Sequence, residues 1–269
     1  MQIFGKKMVL LPKYSYLCKK YKNIETSKLH IEKIKANFKS HESFKTEDIR
    51  LFYWTFDPEL SQTTLNWRIY HLVQKGILER LGRGVFRIGK NHLFIPELSS
   101  QQKSIYNRIL SLFSFSNFCI WNTAIINEFS LHQSNMNFTL VEVEKDSLQS
   151  VFYELKETKN NVFIEPTNEV IENYVSNMKN PIIVKALITE APLQKADGIK
   201  TTTIEKLLVD LFCDKELFFA FQGKELRTTM NESFSKYSVN QNKMIRYANR
   251  RGKKEEFVNY LKIISNYRQ

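Results

Sequence analysis

The feature that most restricts what this chain can fold into is Gly82-Arg83-Gly84, set between two short extended runs, residues 77–81 and 85–88. Glycine reaches the φ > 0 conformations that tight turns demand, so the three residues are expected to close a hairpin, with both glycines using that freedom. A helix comes directly before it. Ser61 is its N-cap, Leu65, Ile69, Leu72 and Val73 fall on one face, and Gly76 stands just past its end. Two further helices precede that one. Leu29, Ile31, Ile34 and Phe38 recur at three- and four-residue steps behind Ser27 as cap. Thr46 and Asp48 then open a short helix carrying Ile49, Phe52 and Tyr53, which Asp57-Pro58 ends. Trp54 and Trp67 are expected in the core of this small domain, since a large aromatic at helical spacing is more often packed than presented.

Three helices and a hairpin follow the element order of a winged helix-turn-helix. A helix fits the major groove of B-DNA and offers side chains of its N-terminal half to base edges. Here that half carries Ser61, Gln62, Thr63, Thr64, Asn66 and Arg68, short hydrogen-bonding types where a merely solvated face would carry Glu and Lys. His71, one turn beyond Trp67, is expected to face phosphate rather than a metal. Arg80, Arg83 and Arg87 flank the glycine turn beside Leu81, Val85 and Phe86, and arginines there suit phosphates or a minor groove. Charge agrees. Of the net +12, residues 1–90 hold 18 Lys+Arg against 8 Asp+Glu, while residues 91–269 hold 22 against 20. Basic charge packed into one third of a chain is the electrostatic footprint of something that meets phosphates.

The rest of the chain reads as a second, larger domain. Extended patterns at residues 117–121, 139–144, 162–165 and 182–187 alternate with helical ones at 122–129, 147–157 and from 168, and helices run from Thr203 to the end. The expected architecture is α+β: a basic lead-in (residues 1–25), a winged helix-turn-helix (26–95), and an α/β-type domain (97–269) ending in a helical region. No apolar run approaches the ~20 residues of a membrane span, and no secretory signal or cleavage site is recognisable. Cys18, Cys119 and Cys213 are too few and too scattered for a disulfide framework. A cytoplasmic protein is expected. Neither a phosphate-binding glycine loop nor a recognisable nucleophile context occurs, so no cofactor and no enzymatic activity are expected.

Three features of the larger domain carry possible chemistry. Glu142 and Glu144 repeat at strand spacing, and paired carboxylates can hold a metal; a solvent-facing strand edge with Val141 and Val143 turned inward is the simpler reading. Thr202 and Glu205 have the spacing of a capping box, followed by Leu207, Leu208, Leu211 and Phe212 as a buried face. Lys243, Arg246, Arg250 and Arg251 cluster near the C-terminus, where three- and four-residue steps put Lys243, Arg246 and Arg250 on one helix face as a second basic surface.

Residues 64–89, TLNWRIYHLVQKGILERLGRGVFRIG, resemble the winged helix of AbiEi-type antitoxins: Leu72-x-x-x-Gly76 ends the helix, and Leu78-x-Arg80-x-x-Arg83-Gly84-x-Phe86 forms the wing. WNTAIINEF (121–129), TLVEVEKDS (139–147) and TTTIEKLLVDLF (201–212) are similar to the second domain of the same group. The resemblance implies an antitoxin that represses its own operon by binding operator DNA and neutralises a nucleotidyltransferase-like toxin through the second domain. Two other readings stay open: a winged-helix transcription factor with a ligand-sensing second domain, and a metal-dependent nuclease.

Overall fold

The computed structural model describes residues 28–89, 92–130 and 137–266; the basic lead-in and the Ser27 cap lie outside the described residues. The fold is α+β, and it divides into two compact units. Of the described residues, those up to Glu79 and Arg83–Gly89 form the first, and Arg80–Gly82 group with those beyond Gly89 in the second.

In the first unit, α1 (Ile31–Phe38) follows His30, which is in the left-handed region at φ 47°. Phe44–Lys45 form a two-residue strand, β1, that the sequence pattern does not announce. α2 (Thr46–Trp54) starts there, with the Asp48 carboxylate accepting the Lys45 N–H at 2.7 Å. α3 (Gln62–Gln74) is capped as expected, the Ser61 hydroxyl accepting the Thr64 N–H at 3.2 Å, and it ends at Gly76 with φ 65°. β2 (Leu78–Gly82) and β3 (Val85–Ile88) make the hairpin, and the sheet order is β1-β3-β2. Only Gly84, at φ 70°, takes the left-handed conformation; Gly82 does not. The Gly84 carbonyl accepts the Thr46 N–H at 2.9 Å, which ties the turn to the start of α2.

Leu29, Ile34, Phe38, Ile49, Tyr53, Leu65, Ile69, Leu72 and Phe86 form this unit's core. Trp67 is half-buried against it, and Trp54 is 41% exposed. The reason is helical phase. Ile49, Phe52 and Tyr53 occupy the inward positions of α2, and the next residue is turned about 100° away.

The second unit is built on a four-stranded sheet of β4 (Phe118–Asn122), β5 (Thr139–Val143), β6 (Val162–Ile164) and β7 (Ile182–Ala186), in the order β4-β5-β7-β6. β4 is antiparallel to β5, while β5 and β6 both run parallel to β7. Strand periodicity divides the core. Val141, Val143, Ile182 and Val184 pack on α4 (Ser100–Leu112) and α5 (Leu148–Thr158), whereas Leu140 and Ile183 pack on the C-terminal helices. β5 is therefore buried at every position, not edged with solvent-facing acids. The helical pattern at residues 122–129 is a 3-10 helix, Thr123–Glu128, and the one from Asn168 is a short α-turn continued by a π-turn, Ile171–Val175.

A second hairpin, β8 (Leu193–Ala196) and β9 (Ile199–Thr202), turns at Asp197-Gly198, both with positive φ. It leads into α6 (Ile204–Cys213). Thr203 caps α6, its hydroxyl accepting the Lys206 N–H at 3.3 Å, so the expected Thr202–Glu205 capping box does not form. Glu205 instead accepts the Asn240 N–H at 3.2 Å. α7 (Lys224–Lys236), α8 (Gln241–Arg250) and α9 (Lys254–Asn266) complete the unit. Among the described residues, no helix is long and apolar enough to cross a membrane.

Candidate functional site

The N-terminal half of α3 presents Ser61, Gln62, Thr63, Thr64 and Asn66 to solvent. Two of these are held in orientation. Gln62 Nε2 donates to Asn66 Oδ1 at 2.9 Å, and Gln62 Oε1 accepts from Arg50 of α2, which also lies 3.3 Å from the Glu47 carboxylate. Ser61 and Thr64 hydroxyls sit 2.9 Å apart as part of the cap. Tyr70, two turns beyond Gln62 on the same side, is 58% exposed. His71 is half-buried, its ring centroid 4.2 Å from that of Trp67. Arg83 is exposed at the hairpin tip, and Arg80 is exposed on β2.

Two arginines expected at this surface are engaged elsewhere. Arg68 is 7% exposed; its Nη2 donates to Asp57 at 2.8 Å, and its guanidinium lies 4.6 Å from the centre of the Tyr53 ring. It shares the inward face with Leu65, Ile69 and Leu72, as its three-residue step from Leu65 dictates. Arg68 therefore cannot read a base. Arg87 donates through Nε and Nη2 to the Glu79 carboxylate, both at 2.9 Å, so its charge is neutralised across the hairpin.

The second unit holds a buried charge cluster. Lys206 on α6 has no exposed side-chain surface and donates to Glu142 on β5 and Asp210 on α6, both at 2.5 Å. Trp121 Nε1 donates to Glu142 at 2.6 Å, and Tyr247 Oη to Asp210 at 2.9 Å. Arg251 bridges Asp210, at 2.5 Å, and Asp214, which Lys185 also reaches at 2.5 Å. Three carboxylates thus meet three cations. Burial by itself disfavours the Lys206 ammonium, but Asp210 and Glu142 outweigh it and hold the group well above the ordinary lysine value. Burial likewise works against the Asp210 carboxylate, yet Lys206, Arg251 and Lys185 bring it below the usual range. The signal for this cluster lay in α6 itself. Seven of the ten residues of α6 are apolar, the composition of a buried helix, so a lysine and an aspartate four residues apart inside it require partners.

The structure also bears on the Glu142–Glu144 pair and on the second basic surface. Glu142 is consumed by Lys206 and Trp121, while Glu144 is exposed beyond the end of β5, so the two carboxylates do not converge. The second basic surface is largely neutralised: Lys243 lies 3.3 Å from Glu205, Arg250 pairs with Glu190, and Arg251 belongs to the cluster. Arg246 is exposed on α8.

Beside the cluster opens a cleft of about 580 Å³, bordered by Lys185, Arg251, Asp214, Ile188, Phe212 and Leu217. Cys213 also borders it, and burial pushes its thiol up to about 11, so the thiol stays protonated at neutral pH.

Fold and sites together define an α+β protein with an exposed amide-bearing helix in one unit and a neutral buried ion cluster beside a cleft in the other. The chain belongs to DUF6577, a family of unknown function, whose profile matches residues 64–267. The match begins inside α3 and takes in the hairpin and nearly all of the second unit. No curated protein matches the chain.

Proposed function

We propose that the protein is an AbiEi-like antitoxin of the cytoplasm, a DNA-binding autorepressor with no catalytic activity of its own. In this reading the first unit is a winged helix-turn-helix, with α3 in the major groove and Arg83 on a phosphate or in the minor groove. The second unit neutralises a nucleotidyltransferase-like toxin. The observation that carries the reading is the oriented Gln62–Asn66 amide pair on the exposed leading turns of α3. With Oδ1 accepting one bond from Gln62, Asn66 still has a second lone pair and both Nδ2 hydrogens, the set that pairs with the N6 and N7 edge of adenine. The concentration of positive charge in the first ninety residues supports the same partner.

The test is anisotropy of the full chain on a labelled duplex from upstream of its own coding sequence, against a shuffled duplex. Asn66→Ala should lose about 1–3 kcal/mol of discrimination between the two. Arg83→Ala should weaken both complexes and reduce the salt dependence by about one phosphate contact. No affinity for either duplex at low salt would end the DNA-binding reading. In cells making the neighbouring toxin from an unrelated promoter, the Arg83→Ala chain should still protect growth while failing to repress a reporter.

A further inference from the structure

We propose that the cleft of the second unit binds a small organic anion: an apolar body against Ile188, Phe212 and Leu217, with a carboxylate or phosphate held by Lys185 and Arg251. Four observations converge on it. The cleft lies beyond the carboxyl ends of the parallel strands β6 and β7, since Glu165 and Pro166 follow β6 directly, and Lys185, Ala186 and Ile188 end or follow β7. That is where open sheets with parallel strands place their ligands. Its volume, about 580 Å³, falls within the range of small-molecule sites. Glu165, at its edge, adopts φ 36°, a conformation a non-glycine side chain rarely takes and one that collects at ligand sites. Backbone and side chain fix it there, its N–H donating to Val184 O at 3.0 Å and its carboxylate accepting the Ala186 N–H at 3.2 Å.

The sign of the ligand follows from donors and acceptors. Asp214 accepts from Lys185 on Oδ2 and from Arg251 on Oδ1, which engages both oxygens of the carboxylate. Lys185 gives Asp214 one of its three N–H groups, and Arg251 gives Asp210 and Asp214 two of its five. Glu165, Lys215, Glu216 and the Lys253–Glu256 pair also border the cleft, but these side chains are exposed at its mouth. Lys185, Arg251 and Asp214 are set into its wall, two cations to one anion, so the wall favours an acceptor. The ion pairs hold both cations in place before a ligand arrives, which lowers the ordering cost of binding.

Three probes with one ring and different charged groups test this on the full chain: phenyl phosphate, benzoate and benzylamine, followed by calorimetric titration and thermal unfolding. One or both anions should bind saturably and raise Tm, and whichever binds more tightly names the anionic group; benzylamine should do neither. Lys185→Gln should weaken the anion by about tenfold, the loss of one charge-assisted hydrogen bond. Ile188→Trp, which fills the cleft from a half-buried position outside the ion cluster, should abolish binding without lowering Tm. The proposal is overturned if neither anion binds, if benzylamine binds as well as the anions, or if binding survives Ile188→Trp.

Discussion

Lys206 is the residue on which the second unit's interior depends. Its ammonium is the cation nearest Glu142, whose other partner is the neutral Trp121 indole. Lys206→Met fits the same volume but leaves that carboxylate buried and uncompensated. The loss should be about 3–5 kcal/mol, the usual consequence of removing one partner from a buried ion pair. Urea unfolding followed by far-UV circular dichroism will read it, and a loss under about 1 kcal/mol, the scale of an exposed pair, would show that water already reaches Glu142. The same scale shows why some site residues were legible and others not. Gln62, Thr63 and Asn66 could be placed outward from composition and phase alone. Arg68 could not be placed by type, because arginine is usually exposed; its step from Leu65 puts it inward, and the acceptor that makes burial tolerable, Asp57, lies outside the helix.

At the scale of elements, the hairpin shows how the two glycines on either side of Arg83 differ. Gly84 has φ 70°, and a Cβ there would meet the Thr46 hydroxyl at 3.2 Å. Gly82 lies outside the left-handed region with nothing within 4 Å of such an atom. Gly84→Ala should therefore destabilise the chain by about 1–2 kcal/mol, the cost of a left-handed non-glycine residue. Gly82→Ala should be neutral or stabilising by up to about 1 kcal/mol, through a less flexible unfolded chain. Denaturant midpoints at equal slope will separate the two, and equal losses would show that the turn uses both glycines alike. Ser61, Gly76 and the hairpin stand where expected because their chemistry is local, whereas the expected Thr202–Glu205 box gives way to a Thr203 cap. β1 was not readable, since two residues have no periodicity and acquire their strand character from Phe86 and Val85 across the sheet. No expected element covers α4, although Ser99 and Gln102 make a full capping box at its start, with bonds of 3.2 and 2.8 Å. β5 misled through its alternating acids, because its central place in the sheet and the lysine facing Glu142 come from segments far along the chain.

For the whole molecule, the ion cluster sets the pH range over which the second unit stays folded. Asp210 is held below its ordinary value of 3.8, so in acid the unfolded chain takes up its proton first. The stabilisation is complete above that ordinary value and is lost as pH falls through the lower, folded one. Lys206 is held above its ordinary 10.5, so its contribution is complete below that pH and is lost as pH rises through the folded value. Between roughly pH 5 and 9, away from both edges, the two groups should add no slope to stability. Thermal unfolding across that interval and below about pH 4 checks this, with a fall expected on the acid side. A continuous slope through the interval, unchanged in Asp210→Asn, would assign the pH dependence to other groups.

The balance of the cluster also governs how such a protein can change over generations. Swapping a whole buried set of charges for apolar side chains can leave a protein as stable as before, whereas losing one member strands its partner. Glu142, Lys206, Asp210 and Arg251, bound to one another in space, should therefore be bound in inheritance too. Descendants that lose one of them must pass through a poorly folded ancestor or lose several together, so among surviving relatives these positions should be kept as a set or replaced as a set.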